Sequence, residues 1–179
     1  MSRIRFSTFP RTEPPPAFIN EIVEVFRLHE PTICTITNAK GLTSDAVLTA
    51  LGRDLQAIGF DVERSEGQVK PIRRPVFFGE NGAPRLQYKI DSWHEEWKCG
   101  LEIEAGRAWL GNAVYRDLIQ ALVMVDLQYL VLAVPNGYRR KSLGRTVISG
   151  DYDYSCAVAD ALFGHSRVAM PYRLVVIGY

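Results

Sequence analysis

The chain lacks the long apolar segments that membrane proteins carry. None of its apolar runs approaches the roughly 20 residues that cross a bilayer, and no apolar stretch follows the first basic residues as in a secretory leader. Its cysteines, Cys34, Cys99 and Cys156, are odd in number and do not have the paired spacing of a zinc site. These absences argue against a membrane protein and a disulfide scaffold, and they predict a cytoplasmic protein.

The chain also lacks an excess of charge of either sign. It has 21 Lys and Arg residues against 20 Asp and Glu, so its net charge of +1 does not make it a polycation. Any surface that binds nucleic acid must therefore be a local patch. Internal repeats, glycine-rich phosphate loops and a Ser-His-Asp order are absent as well. A chain of 179 residues is expected to form one domain.

Hydrophobic periodicity predicts alternating helices and strands. The proline-interrupted residues 1–16 are expected to form an extended N-terminal arm. Helices are predicted for Pro16 to about Glu30, from Thr43 to about Ile58, for Asn112–Asp126 and for about Tyr154–Phe163. Strands are predicted for Thr32–Thr37, Phe60–Arg64, Val76–Phe78, Leu86–Trp93, Cys99–Ala105, Tyr129–Val134 and Tyr172–Gly178. This order predicts an α/β fold, a three-layer sandwich with a central mixed β-sheet.

Acidic residues lie within two of the predicted strands. Glu102 and Glu104 are two positions apart and therefore share one strand face. If the two strands form a hairpin with an even-length loop, Asp91 falls on the same face. Three carboxylates in one place suit Mg²⁺ or Mn²⁺, which prefer oxygen ligands. The alternative is a solvent-facing side of an edge hairpin, with Lys89 and Lys98 partly neutralising the acids.

The pattern around these acids resembles a known nuclease motif. Ile90-Asp91, then Glu102-Ile103-Glu104, then a helix and an apolar strand resemble the PD-(D/E)XK nuclease superfamily. The Glu-x-Glu ending is most similar to the branch of type II restriction endonucleases that contains BamHI and BglII. The resemblance covers about Thr43 to Pro135. It implies a restriction-endonuclease-like fold and metal-dependent cleavage of DNA.

The resemblance also implies roles for individual residues. Asp91 and Glu102 would bind the metal ion. Glu104 would stand where the superfamily usually has a lysine that acts as a base or orients the attacking water. Ile90 replaces the proline that usually precedes the aspartate. The acid that many members supply from their first core helix has no firm counterpart, and three candidates remain open: Glu21, Glu24 and Asp54.

Basic residues follow the predicted strand Tyr129–Val134. The densest cluster is formed by Arg139, Arg140, Lys141 and Arg145, just beyond a strand end, where α/β proteins build sites. Arg116 lies in the first turns of the preceding predicted helix, outside its buried stripe, as does Asp117. We expect Arg116, Arg139, Arg140 and Lys141 to contact nucleic-acid phosphates. The alternatives are a solvated loop for the cluster and a helix-capping or salt-bridge role for Arg116.

These patterns favour one function hypothesis over two others. The leading hypothesis is Mg²⁺-dependent phosphodiester hydrolysis of DNA by a homodimer, because cutting both strands calls for two sites. The second is a non-catalytic member of the same fold that binds nucleic acid or a protein. The third is a structural or regulatory domain whose acids form only a solvated face.

Overall fold

A six-stranded mixed β-sheet forms the centre of the protein. The computed structural model describes residues 2–38, 41–65, 68–106, 112–142 and 144–179. In chain order the elements are β1 (Arg5–Phe9), α1 (Phe18–Leu28), α2 (Glu30–Ile33), α3 (Ser44–Ala57), β2 (Asp61–Val62), β3 (Arg64–Ser65), β4 (Gln68–Val69), β5 (Ile72–Phe78), β6 (Pro84–Ile90), β7 (Ser92–His94), β8 (Cys99–Ile103), α4 (Ala113–Val123), β9 (Tyr129–Val134), β10 (Tyr138–Ser142), β11 (Arg145–Ser149), α5 (Asp151–Gly164) and β12 (Arg173–Gly178).

The central sheet has the strand order β1-β12-β9-β8-β7-β2. Its three middle strands, β12, β9 and β8, run parallel, whereas each strand outside them pairs antiparallel with its inner neighbour. Parallel strands need crossover connections, and α4 and α5 lie in the connections from β8 to β9 and from β9 to β12. The predicted α/β fold with a mixed central sheet is confirmed.

Helices α1 and α3 cover one face of the sheet. Ile22 and Phe26 of α1 are fully buried and lie four positions apart, as expected for one face of a helix. Helix α3 begins after Thr43, whose side chain accepts a hydrogen bond of 3.2 Å from the Ala46 N–H. From the sheet, alternate residues such as Leu101 point into the same core.

Helices α4 and α5 cover the opposite face and complete the three-layer sandwich. Val114, Leu118 and Ala121 of α4 are buried at helical spacing. They share a second core with Leu132 of β9 and Tyr152 of α5. None of the helices in the described part of the chain is long and apolar enough to span a membrane.

Part of the predicted N-terminal arm is instead a strand. Residues Arg5–Phe9 form β1, which pairs antiparallel with β12 from the far end of the chain, and Phe9 is buried. The proline-rich residues that follow are held by Arg173, which donates a hydrogen bond of 2.7 Å to the Pro14 carbonyl. No local pattern indicates this pairing, because the partner strand is distant in sequence.

A further prediction of local structure is wrong. Thr32–Thr37 is not a strand, because helix α2 ends at Ile33 and a turn follows. The basic segment around Arg73 and Arg74 belongs to β5 and pairs antiparallel with β6. Arg74 lies 3.9 Å from the ring centre of Trp93, so the aromatic ring and the paired strand give this cation a fixed place.

Candidate active site

The β7–β8 hairpin determines which acids face one another. Ser92 pairs with Leu101, and an even number of residues, 95–98, connects the two strands. Continuing this register by one position sets Asp91 opposite Glu102, as the strand parity predicts. Residues opposite each other across an antiparallel pair point to the same face of the sheet.

Asp91 lies at the bend between β6 and β7, where its carboxylate bonds to the neighbouring strand. Its Oδ2 atom accepts a hydrogen bond of 2.8 Å from the backbone N–H of Ile103. The preceding residue, Ile90, packs over Gly100, where an added Cβ would collide with the Ile90 side chain. A glycine on β8 therefore makes room for the chain that delivers Asp91.

Glu102 of β8 and Glu104, which directly follows the strand, lie on the face that α4 and α5 cover. Leu101 and Ile103 point into the core beneath α1 and α3, so the alternate positions Glu102 and Glu104 point the other way. Just beyond the strand, the Glu104 N–H donates to the Ala133 carbonyl at 2.9 Å. The Tyr179 hydroxyl donates to the Glu104 carbonyl at 2.7 Å and fixes this backbone from the other side.

Helix α4 adds two charged residues that the sequence pattern places on its surface. Arg116 donates to Oε1 of Glu104 at 2.7 Å and to Oδ1 of Asp117 at 3.0 Å. Asp117 is buried, with 3% of its surface exposed. The prediction that Asp117 lies outside the buried stripe is wrong, although the spacing Val114-Asp117-Leu118 fits that stripe and was the available signal.

The remaining oxygen of Asp117, the Oδ2 atom, is buried without a hydrogen-bond donor among the described residues. Burial raises the pKa of Asp117, although Glu104 and Arg116 act against this rise. Asp117 is thus a buried acid whose ion-pair partner is Arg116.

Burial and mutual repulsion raise the pKa values of the carboxyl groups in this cluster. Burial is the main reason that the pKa of Asp91 rises to about 6 and that of Glu104 to about 8. It also raises the pKa of Glu102 well above its usual range, and the charge of Asp91 adds to this. Arg116 acts in the opposite direction at Glu102 and Glu104. Like charges crowded in a partly dry site favour a proton or a cation.

The donor chemistry of the cluster fits a hard divalent cation. Carboxylate oxygens are the preferred ligands of Mg²⁺, Oδ2 of Asp117 lacks a partner, and no hydrogen bond to the Glu102 carboxylate is present among the described residues. In that part of the chain, however, no group of three or more His, Cys, Asp or Glu side chains is arranged to hold a metal ion. Bringing three carboxylates onto one ion therefore requires side-chain rotation from this arrangement.

The other acids considered from sequence have separate surroundings. Asp54 contacts Nε2 of His29 at 2.7 Å, and Glu24 pairs with Arg27, so neither supplies a fourth acid to the cluster. Glu21 is an exposed residue of α1, which covers the opposite face of the sheet.

Acids from other elements also act on Asp91, since the charges of Glu63, Asp117 and Asp45 each raise its pKa, with Glu63 the largest of the three. The side chain of Glu63 lies near a lysine. Its partner is Lys89, whose Nζ atom lies 3.6 Å from Oε1. Lys98 was expected on the acidic face, but it pairs with Glu95 at the turn of the hairpin.

A cleft of about 470 Å³ opens beside the cluster. Its lining includes Thr43, Ser44, Ala105, Gly106, Tyr138 and Arg139. Ala105 and Gly106 directly follow Glu104, so one wall of the cleft continues from the acidic strand. Arg139 lies at the start of the β10–β11 hairpin and donates to the Ile36 carbonyl at 3.3 Å across the cleft.

The rest of the predicted basic cluster is only partly described. The backbone of Arg140 and Lys141 belongs to β10, but their side chains lie outside what the structure describes. Contact of Arg116, Arg139, Arg140 and Lys141 with phosphate stays a prediction. For Arg116 the salt bridge considered as an alternative is present.

A solved restriction endonuclease has the same fold. The crystal structure of restriction endonuclease BglII in complex with a DNA 16-mer matches this structure with a TM-score of 0.53. The match covers 98% of this chain and 77% of that chain, with 11% sequence identity. No family model and no curated protein matches the sequence. The protein therefore has a restriction-endonuclease-like fold, in agreement with the motif around Asp91 and Glu102.

Proposed function

We propose that the protein is a Mg²⁺- or Mn²⁺-dependent DNA endonuclease that hydrolyses phosphodiester bonds at Asp91, Glu102 and Glu104. The observation that carries the proposal is the opposition of Asp91 and Glu102 on a partly buried face of the sheet. Carboxylates placed together in this way cost stability unless a cation offsets their repulsion. A site used for metal chemistry gives a reason for retaining them.

Each acid has a distinct role in this proposal. Asp91 and Glu102 hold the divalent ion, which when bound lowers the pKa of water and stabilises negative charge on a phosphate. The Ile103 N–H fixes the Asp91 carboxylate for this task. Glu104, two residues after Glu102 on the same face, is placed to orient the attacking water or, in its ionised form, to accept a proton from it.

The cleft beside Glu104 is the proposed place for the DNA backbone. Arg139 lines it, and the side chain of Arg116 is 59% exposed next to the acids. Together with Arg140 and Lys141, these cations would supply the local positive patch that a chain of net charge +1 needs. The likeness to BglII, whose structure contains DNA, supports a nucleic-acid substrate.

A homodimer is part of the proposal, because one site of this kind cuts one strand. Two copies related by a two-fold axis would match the two antiparallel strands of a duplex. Light scattering of the purified protein, alone and with duplex DNA, tests this assembly. A protein that stays a monomer in both conditions and only nicks plasmid DNA would contradict the dimer but not the nuclease.

Cleavage of supercoiled plasmid DNA tests the activity. We expect the wild-type protein to cut the plasmid when Mg²⁺ or Mn²⁺ is present and not when a chelator is present. We expect Glu102→Gln not to cut it in either condition. Asp151→Asn is the matched control, since Asp151 is another buried aspartate but lies on α5. Absence of cleavage by wild type on several DNA substrates, or equal cleavage by Glu102→Gln, would contradict the proposal.

The second candidate function is a non-catalytic nucleic-acid- or protein-binding domain with the same fold. The observation that favours it is that no three acids of the described residues are arranged to hold a metal ion. This candidate predicts duplex binding or partner binding that is unchanged by a chelator and by Glu102→Gln. Binding that strengthens on addition of Mg²⁺ and weakens in Glu102→Gln would favour the nuclease.

A further inference from the structure

Asp117 is the most deeply buried acid of the cluster and has no role in the nuclease proposed above. Its side chain is 2% exposed, and its Oδ2 atom is buried without a hydrogen-bond partner among the described residues. A buried carboxylate oxygen without a partner is costly, and such atoms commonly face an ion or a proton. A contribution to folding stability therefore does not explain why an aspartate is buried at this position.

The direction of Asp117 is set by the helix stripe that carries it. Val114, Leu118 and Ala121 pack α4 onto the sheet, and Asp117 occupies the same stripe. Its charge acts on Asp91, on Glu102 and on Glu104. The carboxylate therefore points into the acidic cluster from the helix side, opposite the strands that carry the other acids.

Arg116 already supplies a positive charge at this place. Its guanidinium joins Oε1 of Glu104, at 2.7 Å, to Oδ1 of Asp117, at 3.0 Å. The rest of the Arg116 side chain is largely exposed, so it can turn outward into solvent without disturbing the core. A cation that bound both acids would take over the role of the guanidinium.

We propose that Asp117 is a further ligand of the divalent cation, and that the Arg116 guanidinium occupies the cation's place until it binds. This arrangement accounts for two observations at once, the unpartnered oxygen of Asp117 and the lack, among the described residues, of a ready group of three metal ligands. The proposal rests on the proposed function because it concerns the same site. It is testable without cleavage, since cation binding can be measured directly.

Binding of Mn²⁺ to the purified protein, followed by the loss of the free-ion electron paramagnetic resonance signal, is the test. Asp117→Asn should weaken Mn²⁺ binding by about tenfold or more, as loss of a group that holds or orients a metal ion usually does. Arg116→Met keeps the straight side-chain stem but removes the competing charge, so it should strengthen Mn²⁺ binding. Asp151→Asn, which removes the charge of another buried aspartate with an unpartnered Oδ2 atom, should leave the affinity unchanged.

The outcomes separate this inference from the nuclease proposal. If Glu102→Gln loses Mn²⁺ binding while Asp117→Asn and Arg116→Met bind as wild type does, the role of Asp117 is overturned and the nuclease proposal stands. If wild type binds no Mn²⁺, both are overturned. If circular dichroism shows that Asp117→Asn does not fold, Arg116→Met decides, because unchanged or weaker binding overturns the inference and stronger binding supports it.

Discussion

The Oδ2 atom of Asp91 lies 2.8 Å from the backbone nitrogen of Ile103, the residue between Glu102 and Glu104. The hydrogen bond joins the acid at the end of one strand to the backbone of the strand that carries the others. A carboxylate that accepts a backbone N–H has a fixed direction and keeps a second oxygen for another ligand. This contact gives Asp91 a structural role in addition to the metal-binding role proposed for it.

The two roles of Asp91 can be separated by substitution. Asn in place of Asp91 retains an oxygen that can accept the Ile103 N–H, whereas Ala leaves this donor without an acceptor. We expect Asp91→Ala to lower the free energy of unfolding by about 1–3 kcal/mol relative to Asp91→Asn. Chemical denaturation measures the difference, and both variants should lose Mn²⁺ binding. If Asp91→Ala is as stable as Asp91→Asn, the hydrogen bond does not hold the hairpin.

Glu102→Gln should separate metal binding from folding. The substitution keeps size and hydrogen-bonding capacity but removes a charge from a crowded cluster, so the metal-free variant should unfold at the same temperature as wild type or higher. Mg²⁺ at a hundredfold excess over its Kd should stabilise wild type by about 2.7 kcal/mol and the variant much less. Thermal unfolding with chelator and with Mg²⁺ measures both effects. Equal stabilisation of the two proteins would show that Glu102 is not a ligand.

The basic hairpin should control how DNA binding depends on salt. Replacing Arg139, Arg140 and Lys141 by Ala should weaken binding and reduce the slope of log affinity against log salt by roughly 0.9 for each phosphate that the protein no longer neutralises. Fluorescence anisotropy of a labelled duplex at rising salt measures this slope. Arg11→Ala is the control, because Arg11 pairs with Asp160 and follows the end of β1 that lies opposite the cleft. An unchanged slope in the triple variant would remove these residues from the interface.

Asp151 should make the protein less stable as the pH rises. Burial raises the pKa of Asp151, so above the usual aspartate range the folded protein keeps a proton that the unfolded chain has released. The free energy of unfolding of the wild type therefore falls as the pH rises through this range. Asp151→Asn lacks the titrating group, so its stability advantage over wild type should grow as the pH rises. Thermal unfolding across a pH series measures the gain. Asp153→Asn, at a more exposed position of the same helical turn, is the control, and a gain that is the same at every pH would contradict this account.

Local periodicity was enough to predict much of the framework. The amphipathic patterns of α1 and α3 and the continuous apolar run of β9 are properties of neighbouring residues, and each of these elements forms where predicted. Strand parity likewise set Asp91 on the face of Glu102, because the loop between β7 and β8 is short and even in length. A pattern with a fixed period determines which side chains share a face, without information from the rest of the chain.

Local periodicity did not predict the conformations that depend on a distant partner. The proline-rich start contains β1 because β12, at the other end of the chain, pairs with it. His94 lies beside the turn of the hairpin, yet it is buried, and its Nε2 atom bonds to the Ile58 carbonyl. In both cases a partner from another part of the chain, β12 or Ile58, decides the structure.

The sequence by itself determined that Glu102 and Glu104 share a face, because side chains alternate along a strand whatever surrounds it. It could not determine that Asp117 joins them, because a helix can present any of its faces to the sheet until packing selects one. In the folded protein, Val114 and Leu118 pack α4 onto the sheet face that carries the acids, and this packing turns Asp117 toward them. Docking of α4 buries Asp117 and places Arg116 within salt-bridge distance of both Asp117 and Glu104.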